Sequence, residues 1–119
     1  MSNSAEVPEL DIFLAQGCKW EMTMEFEEDD QPKDLTGHTQ ALEIWTMGPG
    51  KQLIRLINGT GLTLTAAAGK IEAVITPSQS GAFRIREGVW ELLDKVGSDD
   101  VSKLLKGRVF VDPTFAASP

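Results

Sequence analysis

The sequence predicts an all-β protein: a single antiparallel β-sandwich, Ig-like or jelly-roll-like, of about eight strands with one short helical crossover. The prediction rests on the strict apolar–polar alternation of residues 19–26, KWEMTMEF. It rests also on turn signals that recur every ~8–12 residues after that stretch. Finally, the chain leaves no room for the long helical crossovers that a parallel α/β sheet requires.

In KWEMTMEF, Trp20, Met22, Met24 and Phe26 point to one side, and Lys19, Glu21, Thr23 and Glu25 to the other. A period of two marks a half-buried strand and excludes an amphipathic helix. The polar run EEDDQPK follows, a turn whose Pro32 ends sheet pairing. Residues 39–47, TQALEIWTM, form the next strand, and Gly48-Pro49-Gly50 turns it into KQLIRLI to complete a hairpin. Asn58-Gly59-Thr60-Gly61 turns the chain again. LTLTA and IEAVIT then read as strands, with Ile71, Ala73 and Ile75 on one face of the second. Within PSQSGAF, Pro77 suits the first turn of a short helix capped by Thr76. GVWELLDKV and LLKGRVFVDP read as two closing strands joined by the acidic loop GSDD. The expected core is Trp20, Met22, Met24, Phe26, Ile71, Ile75, Trp90, Leu92, Val109 and Val111. The expected layout is an N-terminal arm over 1–9, the sandwich over 10–113 and a loose tail over 114–119.

At 119 residues the chain is long enough to bury a core without metal or disulfides. Its 41% hydrophobic and 24% charged residues are those of an ordinary globular domain. No apolar run is long enough for a bilayer-spanning helix, and the first ten residues lack the basic and apolar regions of a signal peptide. Cys18 is the only cysteine, which is consistent with a reducing site of synthesis. The net charge of −7 is uneven: residues 1–37 hold ten acids against Lys19 and Lys33, leaving eight acids and nine bases beyond. Such a chain repels nucleic acid, and neither a nucleic-acid nor a membrane partner is expected.

Chemistry finds little support in the residue pattern, and no enzymatic activity, cofactor or metal is expected. His38 is the only histidine, so any Ser–His–Asp arrangement would need it, and PSQSG lacks the leading Gly of a nucleophile elbow. His38 is instead expected at a turn or on the surface, and Cys18 as a small buried hydrophobe. Glu25, Glu27, Glu28, Asp29 and Asp30 supply oxygen ligands but not the spacing of a calcium loop, so a solvated hairpin tip is expected there. Asn58-Gly59-Thr60 matches a glycosylation sequon by a pattern that is common by chance. The three tryptophans suit core anchoring; Trp45, out of phase with Leu42 and Ile44, is the candidate interface residue.

Asp34-Leu35-Thr36-Gly37 has the make-up of a structural corner. Asp34 can accept from following amides, Gly37 permits a tight turn, and Leu35 can plug the end of the sandwich as the chain changes sheets.

Taken in order, these pieces resemble the small β-sandwich proteins and N-terminal domains of phage tails, such as baseplate upper proteins and the related long-tail-fibre family. The matching pieces are DLTG at Asp34–Gly37, G-x-I at Gly69–Ile71, T-x-x-Q at Thr76–Gln79, G-x-W-x-L at Gly88–Leu92 and L-x-G-x-V-x-V at Leu105–Val111. Trp90 stands where that family more often carries Tyr. The resemblance covers about residues 10–113 and implies a virion structural protein, a tail, baseplate or fibre adaptor acting by packing. It implies other virion proteins as partners, a homo-oligomer within the particle, and assembly in the host cytoplasm. A capsid cement protein and a carbohydrate-binding module using Trp45 or Trp90 are the competing readings.

Overall fold

Alternation in KWEMTMEF is realised as strand β2 (Trp20–Glu25), in which Glu21, Thr23 and Glu25 are exposed and Met24 is buried. Trp20, Met22 and Phe26 are half-buried and pack against the core cluster. The computed structural model describes residues 7–48, 50–98 and 100–113. The expected tail over 114–119, residues 1–6 of the expected arm, and Pro49 and Asp99 of the expected turns lie outside them.

The other strands are β1 (Ile12–Ala15), β3 (Glu27–Glu28), β4 (Gln31–Pro32), β5 (His38–Thr46), β6 (Gln52–Asn58), β7 (Gly61–Thr65), β8 (Lys70–Ile75), β9 (Glu87–Val96) and β10 (Asp100–Asp112). Eight of the strands form one sheet in the order β1-β10-β9-β5-β6-β7-β8-β2, and β3 and β4 pair separately. β1 and β2 stand at opposite ends of that order, yet only residues 16–19 separate them. The five Cα steps from Ala15 to Trp20 reach at most ~18 Å, whereas eight strands laid flat would be ~34 Å wide. The sheet therefore curls until its edges approach, giving the barrel-like sandwich that the strand count predicts. Inward residues from every limb, including Ile12, Leu42, Leu56, Leu62, Ile71, Ile75, Trp90, Leu92, Val109 and Val111, meet in one core.

Several local expectations change. The fold is not purely antiparallel: β1 runs parallel to β10, and β6 and β7 meet in a short parallel pairing. The chain crosses from β1 to the far edge without a hairpin, and β1 docks beside the last strand, where inward Ile12 and Leu14 join Val109 and Val111 in the core. EEDDQPK is not a plain turn but the β3–β4 hairpin, with Asp29 and Asp30 at φ of 56° and 62° at its tip. Short polar side chains tolerate this left-handed region better than most, and Pro32 is confined to a two-residue edge strand. Pro8 and Glu9 are tied down rather than free: Lys106 N donates to Pro8 O (3.2 Å), and Leu10 N donates to Lys106 O (2.8 Å).

The crossover helix α1 (Pro77–Gly81) has a full capping box. Gln79 N donates to Thr76 Oγ1 (3.1 Å), and Thr76 N donates to Gln79 Oε1 (2.8 Å). Ser80 on this helix is fully buried and holds the 16–19 crossing in place. Its Oγ accepts from Gly17 N (3.0 Å) and donates to Cys18 O (2.9 Å), while Gln16 Nε2 donates to Phe83 O (2.7 Å). Cys18 itself is exposed, contrary to the expectation of a buried hydrophobe. It sits where the chain bridges the two sheet edges, outside the alternating pattern that would turn it inward.

Candidate functional site

The DLTG segment links β4 to β5 and so carries the chain from the β2–β8 side of the curled sheet to the β5–β9 side. Asp34 Oδ1 accepts from Thr36 N (3.0 Å) and Thr36 Oγ1 (2.6 Å), and Gly37 has φ +83°. The Thr36 hydroxyl and then the Thr36 amide hold the Asp34 carboxyl below the usual aspartate range. Leu35 is 0% exposed, and Leu35 N donates to Ala66 O (3.0 Å), so this corner is tied to the 3-10 turn Ala66–Ala68.

A buried polar network appears where sequence reading placed a surface histidine. His38 opens β5, is half-buried, and its Nδ1 donates to Asp94 Oδ2 at 2.8 Å. Asp94 is 3% exposed and also accepts from Gln40 Nε2 (2.8 Å). Asn58 completes the chain: its Oδ1 accepts from Gln40 N (2.6 Å) and its Nδ2 donates to Gln40 Oε1 (2.9 Å). Both polar atoms of the sequon asparagine are thus engaged in the fold. Among the described residues no buried side-chain N or O lacks a partner, so this network closes one end of the core without an orphaned group. The missed signal was Asp94 itself, in phase with Trp90 and Leu92 along GVWELLDKV. A carboxylate at an inward position demands donors from neighbouring strands.

The larger candidate is an interaction surface on the outward face of β1, β10, β9 and β5. Trp45 lies in register with Val89, and Val89 with Arg108; the next row is Glu43, Glu91 and Lys106. Phe110 pairs in register with Phe13 on β1, and the two rings stack at 5.2 Å with an interplanar angle of 16°. Phe13 is 69% exposed, and Val89 and Met47 are also exposed. An open cleft of about 830 Å³ runs over this face, lined by Trp45, Met47, Val89 and Phe110 together with Lys106 and Arg108.

Ion pairs interleave with these apolar residues: Glu87 lies in register with Phe110 and Arg108 with Val89, so their pair separates the two rings from Val89 and Trp45. Arg108 Nη1 meets Glu87 Oε2 at 3.0 Å, Lys103 Nζ meets Glu91 Oε2 at 2.8 Å, and Arg55 Nε meets Glu43 Oε2 at 2.9 Å. Such pairs add little to stability at the surface. They do leave the charges on this face already matched by counter-ions, so that a partner need not neutralise them. Trp45 is half-buried, with its Nε1 donating to Glu43 Oε1 (3.2 Å). The acids of 25–30 form no comparable centre: among the described residues no three His, Cys, Asp or Glu side chains are grouped to hold a metal ion.

No family model matches the sequence, and no curated protein matches it. Among solved structures, the chain is similar to the N-terminal domain of phage TP901-1 ORF48, with a TM-score of 0.59 and 9% identity over 91% of each chain. At that identity the likeness shows a shared fold. It also overlaps the extracellular domain of the voltage-gated sodium channel β4 subunit, solved as parallel homodimers, at a TM-score of 0.47 and 9% identity. That overlap covers 97% of this chain and 100% of the other, at a score too low to support any reading.

Proposed function

We propose that this protein is a structural component of a phage particle, acting by packing against other virion proteins, with a place in the tail or baseplate. The observation that carries the reading is the pair of exposed apolar side chains Phe13 and Val89, set beside half-buried Phe110 and Trp45, on a sheet face that the fold itself leaves uncovered. A large aromatic held in the open by its own strand register gains only its one stacked neighbour in the isolated chain and is suited to further burial by a partner. The fold shared with a domain of a phage protein supports the virion setting, and the motif series from DLTG to L-x-G-x-V-x-V points the same way.

The reading is tested by purifying particles from a lysate, separating tails from capsids, and quantifying this chain in each by mass spectrometry. Fixed stoichiometry with the tail fraction is the expected result. Recovery only in the soluble fraction overturns the reading, and capsid-wide stoichiometry moves the protein to the cement class. Val89→Glu, placed on the exposed strip, is expected to leave the fold intact and to reduce incorporation.

A further inference from the structure

We infer that β1 is a pairing edge through which two copies of this chain join their sheets, antiparallel and centred on Phe13. β1 stands at one end of the eight-stranded order, and among the described residues β10 is its one ladder partner. Leu10 and Gln16 donate their amides to β10, at Lys106 O and Asp112 O. Backbone groups alternate sides along a strand, so the residues in phase with Leu10 and Gln16 face β10, whereas Asp11 and Phe13 direct their N–H and C=O to the open side. Ala15 O at the end of this row already accepts from Cys18 N (3.1 Å), so the edge open to another strand centres on Asp11 and Phe13.

Comparing the two edges favours a second copy as the occupant. β2, at the other end of the order, is guarded by exposed Glu21, Thr23 and Glu25. Two β2 strands paired antiparallel about Thr23 would set Glu21 of each copy opposite Glu25 of the other, and facing like charges are destabilising. β1 has no such guard. Antiparallel pairing about Phe13 sets Ile12 opposite Leu14 and Asp11 opposite Ala15 of the second copy, so its single carboxylate meets a methyl group.

The same register continues the aromatic pair. Phe110 and Phe13 of one copy would run into Phe13 and Phe110 of the other, a four-ring ladder on one face that covers the most exposed of the large hydrophobic side chains described. The chain carries a net charge of −7, so two copies repel at long range and can meet only where the local balance is close to neutral. Of the three acids beside this strip, two have a cationic partner, Glu9 with Lys106 Nζ at 3.8 Å and Glu87 with Arg108 Nη1 at 3.0 Å, while Asp11 Oδ1 accepts from the Arg108 backbone amide (3.1 Å), so one negative charge per copy remains.

This partner assignment stands on the sheet geometry and deepens the packing reading above. Sedimentation equilibrium of the full chain tests it apart from any particle. The wild type is expected to reach about twice its 13.0 kDa mass as concentration rises. Phe13→Glu, which places two carboxylates at the axis, is expected to weaken the dimer at least about tenfold, as loss of a central aromatic does. Phe13→Thr, a good strand residue, is expected to weaken it in the same direction and keeps the test valid if the glutamate variant misfolds.

The register is read by crosslinking. A hydrogen-bonded antiparallel pair brings Cα atoms to about 5.5 Å, inside the roughly 4.4–6.8 Å span of a disulfide. In a Cys18→Ser background, Phe13→Cys is expected to form an oxidised dimer and Thr23→Cys on the guarded edge is not. A wild type that stays monomeric at its highest soluble concentration, a Phe13→Glu dimer as tight as the wild type, or equal crosslinking from both edges overturns the inference. Any of these leaves the particle-association measurement to be judged on its own.

Discussion

Replacing Gly107 with alanine probes the tightest crossing in the fold. A Cβ built at Gly107 would overlap the Leu10 carbonyl and come within 2.8 Å of Trp90 Nε1. The Trp90 indole, 1% exposed, lies over this glycine and donates to Leu10 O at 2.7 Å. Relieving the overlap means moving the lead-in to β1 away from β10. That loses the Trp90 bond and the Leu10 N–Lys106 O bond (2.8 Å). A buried N–H left unpaired costs about 1–3 kcal/mol, and the backbone bond about 1 kcal/mol. Alanine restricts the unfolded chain and offsets about 0.4–1 kcal/mol of this. The net expectation is a loss of roughly 2–3 kcal/mol, or about 10 °C in Tm for a domain of this size.

Urea unfolding followed by tryptophan fluorescence measures the loss directly. In a Trp90→Phe background, which already lacks the indole N–H, the same alanine is expected to cost about 1 kcal/mol less. A loss below about 0.5 kcal/mol in the wild-type background would refute the steric reasoning, since it would mean the strands separate freely at this point.

Leu35→Ala is expected to cost about 3 kcal/mol in the same assay, because the side chain is fully buried at the corner and its removal leaves a cavity in the core. Thr36→Val is expected to raise the Asp34 titration midpoint toward the ordinary aspartate value, read by NMR of the carboxyl carbon. The sign follows from the lowered folded value: Asp34 adds stability above the ordinary aspartate range and loses it as pH falls through its own depressed value. Asp94→Ala leaves His38 Nδ1 and Gln40 Nε2 without their acceptor, and a loss of about 2–4 kcal/mol is expected on thermal unfolding. Cys18 is expected to react stoichiometrically with a thiol reagent in the native protein, at the rate of an accessible cysteine.

Local pattern and global pairing divide what could be read in advance. The period-two runs at Ile71–Ile75 and at Trp90–Leu92 name their inward residues correctly, because alternation is a property of each strand alone. Thr76 and Pro77 announce the start of the short helix because a cap is equally local, and the structure adds the reciprocal bond from Gln79; the phase of Trp45 against Leu42 and Ile44 is likewise a property of its own strand. β1 escaped notice because Ile12 and Leu14 point inward while Phe13 between them is apolar too, leaving no alternation in DIFLA to read. Phe13 could therefore not be recognised as a surface residue, nor the stacked pair with Phe110 as part of an outward strip.

His38 shows the same division from the polar side. Nothing adjacent in sequence explains it; its partner Asp94 is 56 residues away, brought near by the pairing of β5 with β9. The sequence by itself determined the all-β class, the faces of the longer strands and the chemistry of the turns, because these depend on residues a few positions apart. Only the tertiary structure decided that β1 lies parallel to β10 at an open edge and that Gly107 admits the Trp90 indole, and only it brought a buried carboxylate to the lone histidine. Each of those depends on which distant strands meet, and that choice is made by the closure of the whole sheet around its core.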